Sequence, residues 1–274
     1  MKRLFYIFIT LAIAACNRPT GEFTIDVLNG YTPVKSQGRT QTCWAYAMLS
    51  AIETEHIMRG DSVHLSVAFV EKAMEQEPTA PRSKRGMGMT LVNLIQKYGL
   101  VPYESMRDTL TPLPRRAFMY GADYTLQEFA RSVCAPGEYV GIGCQSGVSD
   151  YTRYEPRLKD NWEHNRLLAV PRDSLTTIVA RAVSARRGVC WEGDTSEPGF
   201  DWKEGVARLS LINGSTTDDH CMAIVGLAHD AAGQRYFVMK NSWGRSNRFD
   251  GLMFMHEDYL RQKTIAVYLP RDAM

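Results

Sequence analysis

Beyond position 15 the sequence has no apolar run long enough to cross a bilayer. It also has no cluster of lysine and arginine interleaved with aromatics, and no CxxC or Cys/His spacing of the zinc-binding kind. These absences exclude a spanning helix in the body of the chain, make nucleic acid an unexpected partner, and leave no metal or cofactor to be expected. No internal repeat or low-complexity linker occurs, so any two lobes are woven together rather than beaded. What remains is ordinary globular composition: 274 residues, 45% apolar and a net charge of +2, enough for one large domain or two lobes sharing a cleft.

The amino terminus reads differently from the rest. Lys2 and Arg3 precede an apolar stretch from Leu4 to Ala15, too short for a span but suited to an export signal. Ile13-Ala14-Ala15-Cys16 resembles a bacterial lipobox. That resemblance implies a signal peptide over 1–15 and a lipidated Cys16 heading a leader over 16–30. The chain would then be an exported lipoprotein, tethered by acyl chains to a membrane and facing the periplasm or cell surface. Five further cysteines follow, at 43, 134, 144, 190 and 221. Their number is odd, so at least one stays unpaired; Cys134 and Cys144 flank a Pro/Gly loop and could pair, while Cys190 and Cys221 sit in apolar strand-like runs as expected free thiols.

Periodicity divides the domain over 31–274 into two halves. Helical spacing marks 43–59, 65–75 (capped by Ser66), 90–98, 123–133 and 174–187. Strand-like runs mark 23–28 and 138–142, then dominate the end of the chain at 189–192, 221–228, 234–240, 252–255 and 265–269. The expectation is an α+β protein, with a helical lobe mainly over 43–135 against an antiparallel β lobe mainly over 186–270.

The stretch from Gln37 to Ala47 runs a polar loop into a helix, with Cys43 at the junction. A thiol there meets unpaired N–H groups and the positive end of the helix dipole, which favour the thiolate; the alternative is a small buried apolar residue. Downstream, a turn centred on Asp230-Ala231 sets His220 opposite Asn241 on neighbouring strands. A neutral amide there would orient an imidazole able to take the thiol proton, and Trp243 could shield that contact from water. Gln37 and the Cys43 N–H could together face a developing oxyanion. Taken singly, His220, Asn241 and Gln37 each also have ordinary roles as strand, turn and loop residues.

Taken together, Gln37…Cys43-Trp44-Ala45-Tyr46, Asp219-His220-Cys221-Met222-Ala223-Ile224-Val225-Gly226 and Lys240-Asn241-Ser242-Trp243-Gly244 resemble the signature blocks of papain-like cysteine peptidases, in the family's order. The resemblance implies the two-lobe papain-like fold and a peptide or protein substrate. It also implies Cys43 as nucleophile, His220 as base and acid, Asn241 as orienter and Gln37 as oxyanion donor. Gly86 and Gly88 match, loosely, the glycine stretch that pairs with an extended substrate. His220 follows Cys43 by 177 residues, against roughly 130–150 in papain and the cathepsins. Leu91 to Pro102, Glu138 to Val170 and Cys190-Trp191-Glu192-Gly193-Asp194 are similar to the bleomycin hydrolase/aminopeptidase C branch, as is the short leader before Cys43. Members of that branch are hexameric and largely cytosolic; a shorter, tethered chain is compatible with a monomer. Two departures stand out. Thr40 replaces a structural cysteine, and Gln41 replaces a glycine beside the nucleophile. The segment from Ile265 reads as a closing strand with little tail to restrict the cleft, so the resemblance leaves endo- or aminopeptidase action open. A peptide-binding cleft without turnover, and a cysteine acyltransferase or amidase on the same fold, are the alternatives.

Overall fold

The computed structural model describes residues 22–210 and 216–274, so Cys16 and the signal segment lie outside the described residues. Six α-helices occur among those residues: α1 (Cys43–Met58), α2 (Val67–Glu75), α3 (Gly88–Tyr98), α4 (Leu126–Val133), α5 (Arg172–Ser184) and α6 (Glu257–Lys263). An 11-stranded, mostly antiparallel sheet is organised on the His220–Asp230 strand. That strand pairs with Val189–Gly193 through its first half, with Arg235–Lys240 through its second, and with Phe23–Leu28 near its end. The first nine of its residues are buried, as befits a strand covered on both faces.

α1 packs against this strand and against Val189–Gly193, so it runs between the lobes. Its sequence shows apolar residues at helical spacing, yet Trp44 to Ile52 and then Glu53 to His56 are almost all buried, polar side chains included. Burial of a helix on all sides requires partners for each polar group. Glu55 accepts from Gly188 N at 2.7 Å and from Arg187 Nε at 2.8 Å. A Cβ at Gly188 would come within 1.9 Å of Ala51 O, so only glycine lets the Val189–Gly193 strand begin this close to the helix. On the opposite side Lys240 Nζ donates to Ser50 Oγ at 2.8 Å and to Thr32 Oγ1 at 2.9 Å, and Thr32 in turn bonds Glu53. Burial pushes the Lys240 ammonium down to about 8, against the raising pull of Glu53.

The elements follow the sequence expectation with three corrections. The expected helix over 123–133 starts only at Leu126. Thr125 and Glu128 form a capping box there (Glu128 N to Thr125 Oγ1 at 3.1 Å, Thr125 N to Glu128 Oε2 at 2.7 Å), while Ala122–Tyr124 pairs with Ala117–Met119 in a small hairpin. Cys134 and Cys144 are free thiols rather than a disulfide. Cys134 closes α4 and is buried in the core that α1 to α4 share, whereas Cys144 follows the Tyr139–Gly143 strand and packs against the separate core that α5 covers. The hairpin register also differs, with consequences described below.

Glu53, with a side chain 2% exposed, accepts from Leu65 N at 2.7 Å as well as from Thr32, and lies 4.0 Å from Lys35. Its removal would leave the buried Lys240 ammonium without the carboxylate that opposes its burial. Glu53→Ala is expected to cost about 3–5 kcal/mol in urea unfolding; a loss below about 1 kcal/mol, the level of a surface pair, would contradict this reading.

Candidate active site

Cys43 is the first residue of α1, following Thr42 as N-cap. At that position its N–H has no acceptor within the helix and points, with the positive end of the dipole, toward the cleft. The preceding loop is strapped to the β lobe. Gln37 N donates to Ser242 O at 2.7 Å, and Gly244 N donates to Lys35 O at 3.1 Å. The Gln37 side chain is held at both ends, its Oε1 accepting from Ser242 Oγ at 2.6 Å and its Nε2 donating to Thr40 O at 2.8 Å. An amide nitrogen carries two hydrogens, so one stays available to the cleft. Thr40 donates its hydroxyl to Gln37 O at 2.7 Å, so hydrogen bonds close the loop where the family resemblance would place a disulfide.

His220 Nε2 lies 2.7 Å from Asn241 Oδ1, with the two residues 3% and 2% exposed. The pair meets although the expected register is wrong. Ala223 is paired with Lys240, and a bulge shifts the ladder between Ile224 and Gly226. Continued to the open end, this register sets His220 against Trp243, with Asn241 as its diagonal neighbour on the same face. The shift is even, so side-chain parity survives it. The His220 and Trp243 rings accordingly meet at 4.5 Å, tilted by 32°, with Trp243 backed edge-on by Trp202 at 5.4 Å and Phe200 at 5.9 Å. Asn241 Oδ1 also accepts from Ser242 N at 2.7 Å, which fixes the amide with its oxygen toward the ring. An oxygen acceptor assigns the proton to Nε2 and leaves Nδ1 for the bond to Cys43.

The Cys43 thiol is held well below its ordinary value. The thiol of Cys221 contributes most by donating to the Cys43 sulfur, against an opposing effect of burial; the hydrogen bond and charge of His220 add to the lowering. Burial pushes Cys221 itself well up, which keeps it a thiol donor. Cys221 follows His220 in the same strand, and the sequence reading had it only as a buried free thiol.

A cleft of about 130 Å³ opens at Cys43, bordered by Gln37, Trp44, Arg85, Gly86, Asp218 and Trp243. The 84–86 loop is held over it by two indoles, Trp44 Nε1 to Lys84 O at 3.0 Å and Trp162 Nε1 to Arg85 O at 3.1 Å. Gly86 therefore lies where the sequence expectation put it. Gly88 does not: it is buried, its N–H goes to Glu192 Oε2 at 3.1 Å, and a Cβ there would strike the Tyr268 ring at 2.5 Å. Arg85, Asp160 and Asp218, not singled out as site residues from the sequence, line the cleft from three separate loops, and Glu192 lies buried behind Asp218.

A thiolate at a helix start, an imidazole oriented by an amide, and two N–H donors beside it form the arrangement expected for acyl transfer through sulfur. Residues 133–268, the half carrying His220 and Asn241, match the family model of the papain family cysteine protease. Among solved structures, PepW from Lactobacillus rhamnosus superposes with a TM-score of 0.71 over 92% of this chain and 82% of its own, at 15% identity. The fold is papain-like. Digestive procathepsin L 3 from the larval midgut of Tenebrio molitor shares the papain-like architecture at a TM-score of 0.56 over 93% of this chain and 71% of its own, with 18% identity. In sequence, ananain from Ananas comosus is 24% identical over 214 residues, 78% of this chain; the chain spans about half (49%) of ananain's length.

The lowered Cys43 thiol has a direct readout in alkylation by a neutral haloacetamide. Between pH 8 and pH 6 an ordinary cysteine loses close to a hundredfold in thiolate, hence in rate. Cys43 is expected to lose markedly less over that interval, because a lowered value keeps the thiolate populated at lower pH. Cys221→Ala and His220→Ala are each expected to move the inflection upward; an unshifted inflection in both variants would contradict the assigned causes.

Proposed function

We propose that this chain is a cysteine peptidase that cuts peptide bonds through a thioester on Cys43. The observation that carries the reading is the 2.7 Å contact of His220 Nε2 with Asn241 Oδ1, beside a thiol whose ionisation is favoured. The Cys43 sulfur attacks the scissile carbonyl carbon, and the carbonyl oxygen takes negative charge between the Cys43 N–H and the Gln37 amide. As the C–N bond breaks, the proton held on His220 passes to the leaving amine. Water, deprotonated by His220, then releases the acid and restores the thiol. Asn241 steers the ring without neutralising its charged form.

The finer placement within the family rests on the sequence. The stretch from Leu91 to Pro102 and the Cys190–Asp194 block support a relation to the bleomycin hydrolase/aminopeptidase C branch. Lys2, Arg3, the apolar stretch and Ile13-Ala14-Ala15-Cys16 support export and a lipid anchor at Cys16.

Cys43→Ala is expected to abolish hydrolysis of a peptide library, assayed by product mass analysis, with the thermal unfolding transition retained. Gln37→Ala is expected to lower kcat by about 10²–10³ with KM little changed, the signature of a lost oxyanion donor. Turnover by Cys43→Ala would contradict the mechanism. Preferential capture of the acyl group by an added amine over water would instead favour the acyltransferase alternative.

A further inference from the structure

Glu192 is fully buried in the Val189–Gly193 strand and stands directly opposite Cys221 in the ladder. Its Oε2 accepts from Gly88 N at 3.1 Å and from the Tyr268 hydroxyl at 2.7 Å. Its Oε1 has no donor, and neither does Asp218 Oδ2, although both atoms are shut off from water. The two carboxyl groups face each other. Two buried acceptor oxygens in that position are satisfied only by a shared proton or by a cation. Burial accordingly pushes Asp218 up to about 7 and Glu192 well above the carboxylate range.

The position of Asp218 decides what kind of cation can reach it. Asp218 borders both the Cys43 cleft and an adjoining hollow of about 570 Å³ that Leu158, Asp160 and Pro81 also line. The nearby charges leave the wall of the cleft net negative. Arg85 is neutralised by Asp160 at 2.6 Å, and its other bond, at 2.5 Å, goes to the Asp218 carbonyl rather than the carboxylate. The Asp219 carboxylate, which also borders the cleft, is held by Thr195 N at 2.8 Å and by the Thr217 hydroxyl at 2.8 Å, neutral donors that leave its charge in place. Glu192 and Asp218 together, sharing one proton, add a second negative charge at the wall of the cleft.

We infer that Asp218, backed by Glu192, selects peptides bearing a positive charge within two residues of the bond cut. The charge is either a lysine or arginine side chain or the peptide's own α-ammonium. The inference rests on the peptidase reading and adds the substrate's charge to it. The shared proton satisfies the two sealed oxygens, and either source of the cation would pair with the negative charge that the two carboxyl groups present at the cleft wall through Asp218.

The test uses fluorogenic peptides in matched sets, lysine against norleucine at each position flanking the cut, each with a free and an acetylated amino terminus. A matched set of peptide aldehydes is scored for protection of Cys43 from alkylation. At one position the cationic member is expected to exceed its neutral partner in kcat/KM by roughly tenfold or more. Preference for lysine within the acetylated peptides identifies a side-chain cation; preference for the free terminus among norleucine peptides identifies the α-ammonium. Asp218→Asn and Glu192→Gln are each expected to shrink that ratio. Equal or better handling of the acetylated norleucine peptides by the parent chain overturns the inference, whether or not the variants fold. Absence of hydrolysis throughout would overturn the peptidase reading, while the aldehyde protection ratios would still decide charge selection on their own.

Discussion

One contact organises this molecule: the start of a buried helix pressed against the start of a buried strand. Cys43 opens α1, His220 opens the His220–Asp230 strand, and the two elements pack along much of their length. Everything chemically interesting depends on these two ends staying in register. The helix end supplies an unpaired N–H and a positive dipole; the strand end supplies a ring whose second nitrogen is already bound at 2.7 Å by Asn241. Neither element makes a reactive thiolate alone.

The alignment is kept by polar groups rather than by apolar packing alone. α1 carries Ser50, Glu53 and Glu55 into the interior: Ser50 is met by Lys240 from the strand that leads into Asn241, Glu53 is linked to the same lysine through Thr32, and Glu55 is met by Arg187 and the Gly188 N–H from the turn that leads into Val189–Gly193. Buried charge pairs of this kind add little net stability, but a displaced partner is strongly unfavourable, so they resist sliding of helix over sheet. The same segments that carry the pins also carry the site: Lys240 is followed by Asn241, and Gly188 begins the strand holding Glu192. Structural register and site geometry are thus fixed by the same bonds.

Much of this was legible in the sequence. Helix and strand runs are set by local periodicity, and Ser66 and Gly99 mark their ends; the Ser66 hydroxyl accepts from Phe69 N at 3.0 Å, and Gly99 has a positive φ of 88°. The approach of His220 to Asn241 was inferred from a hairpin register that was off by two residues, and it survived because side-chain facing depends on parity. Cys134 and Cys144 looked pairable because sequence distance says nothing about which core each thiol packs into. The acid groups escaped notice for a different reason. Glu192, Asp218, Asp160 and Arg85 come from separate segments, and no local pattern marks a carboxylate that burial will leave without a donor. The proximity of Cys221 to Cys43 was hidden in the same way, since it depends on tertiary packing of helix on strand.

The central claim is that Cys43 bears the acyl group during turnover. Quenching the chain in acid during steady-state hydrolysis of a peptide ester, then digesting it for mass spectrometry, tests this directly. The expected result is a mass increase equal to the acyl half of the substrate on the peptide containing Cys43, lost on treatment with hydroxylamine. Ester turnover with no adduct under conditions where deacylation limits the rate, or an adduct confined to another residue, would contradict it.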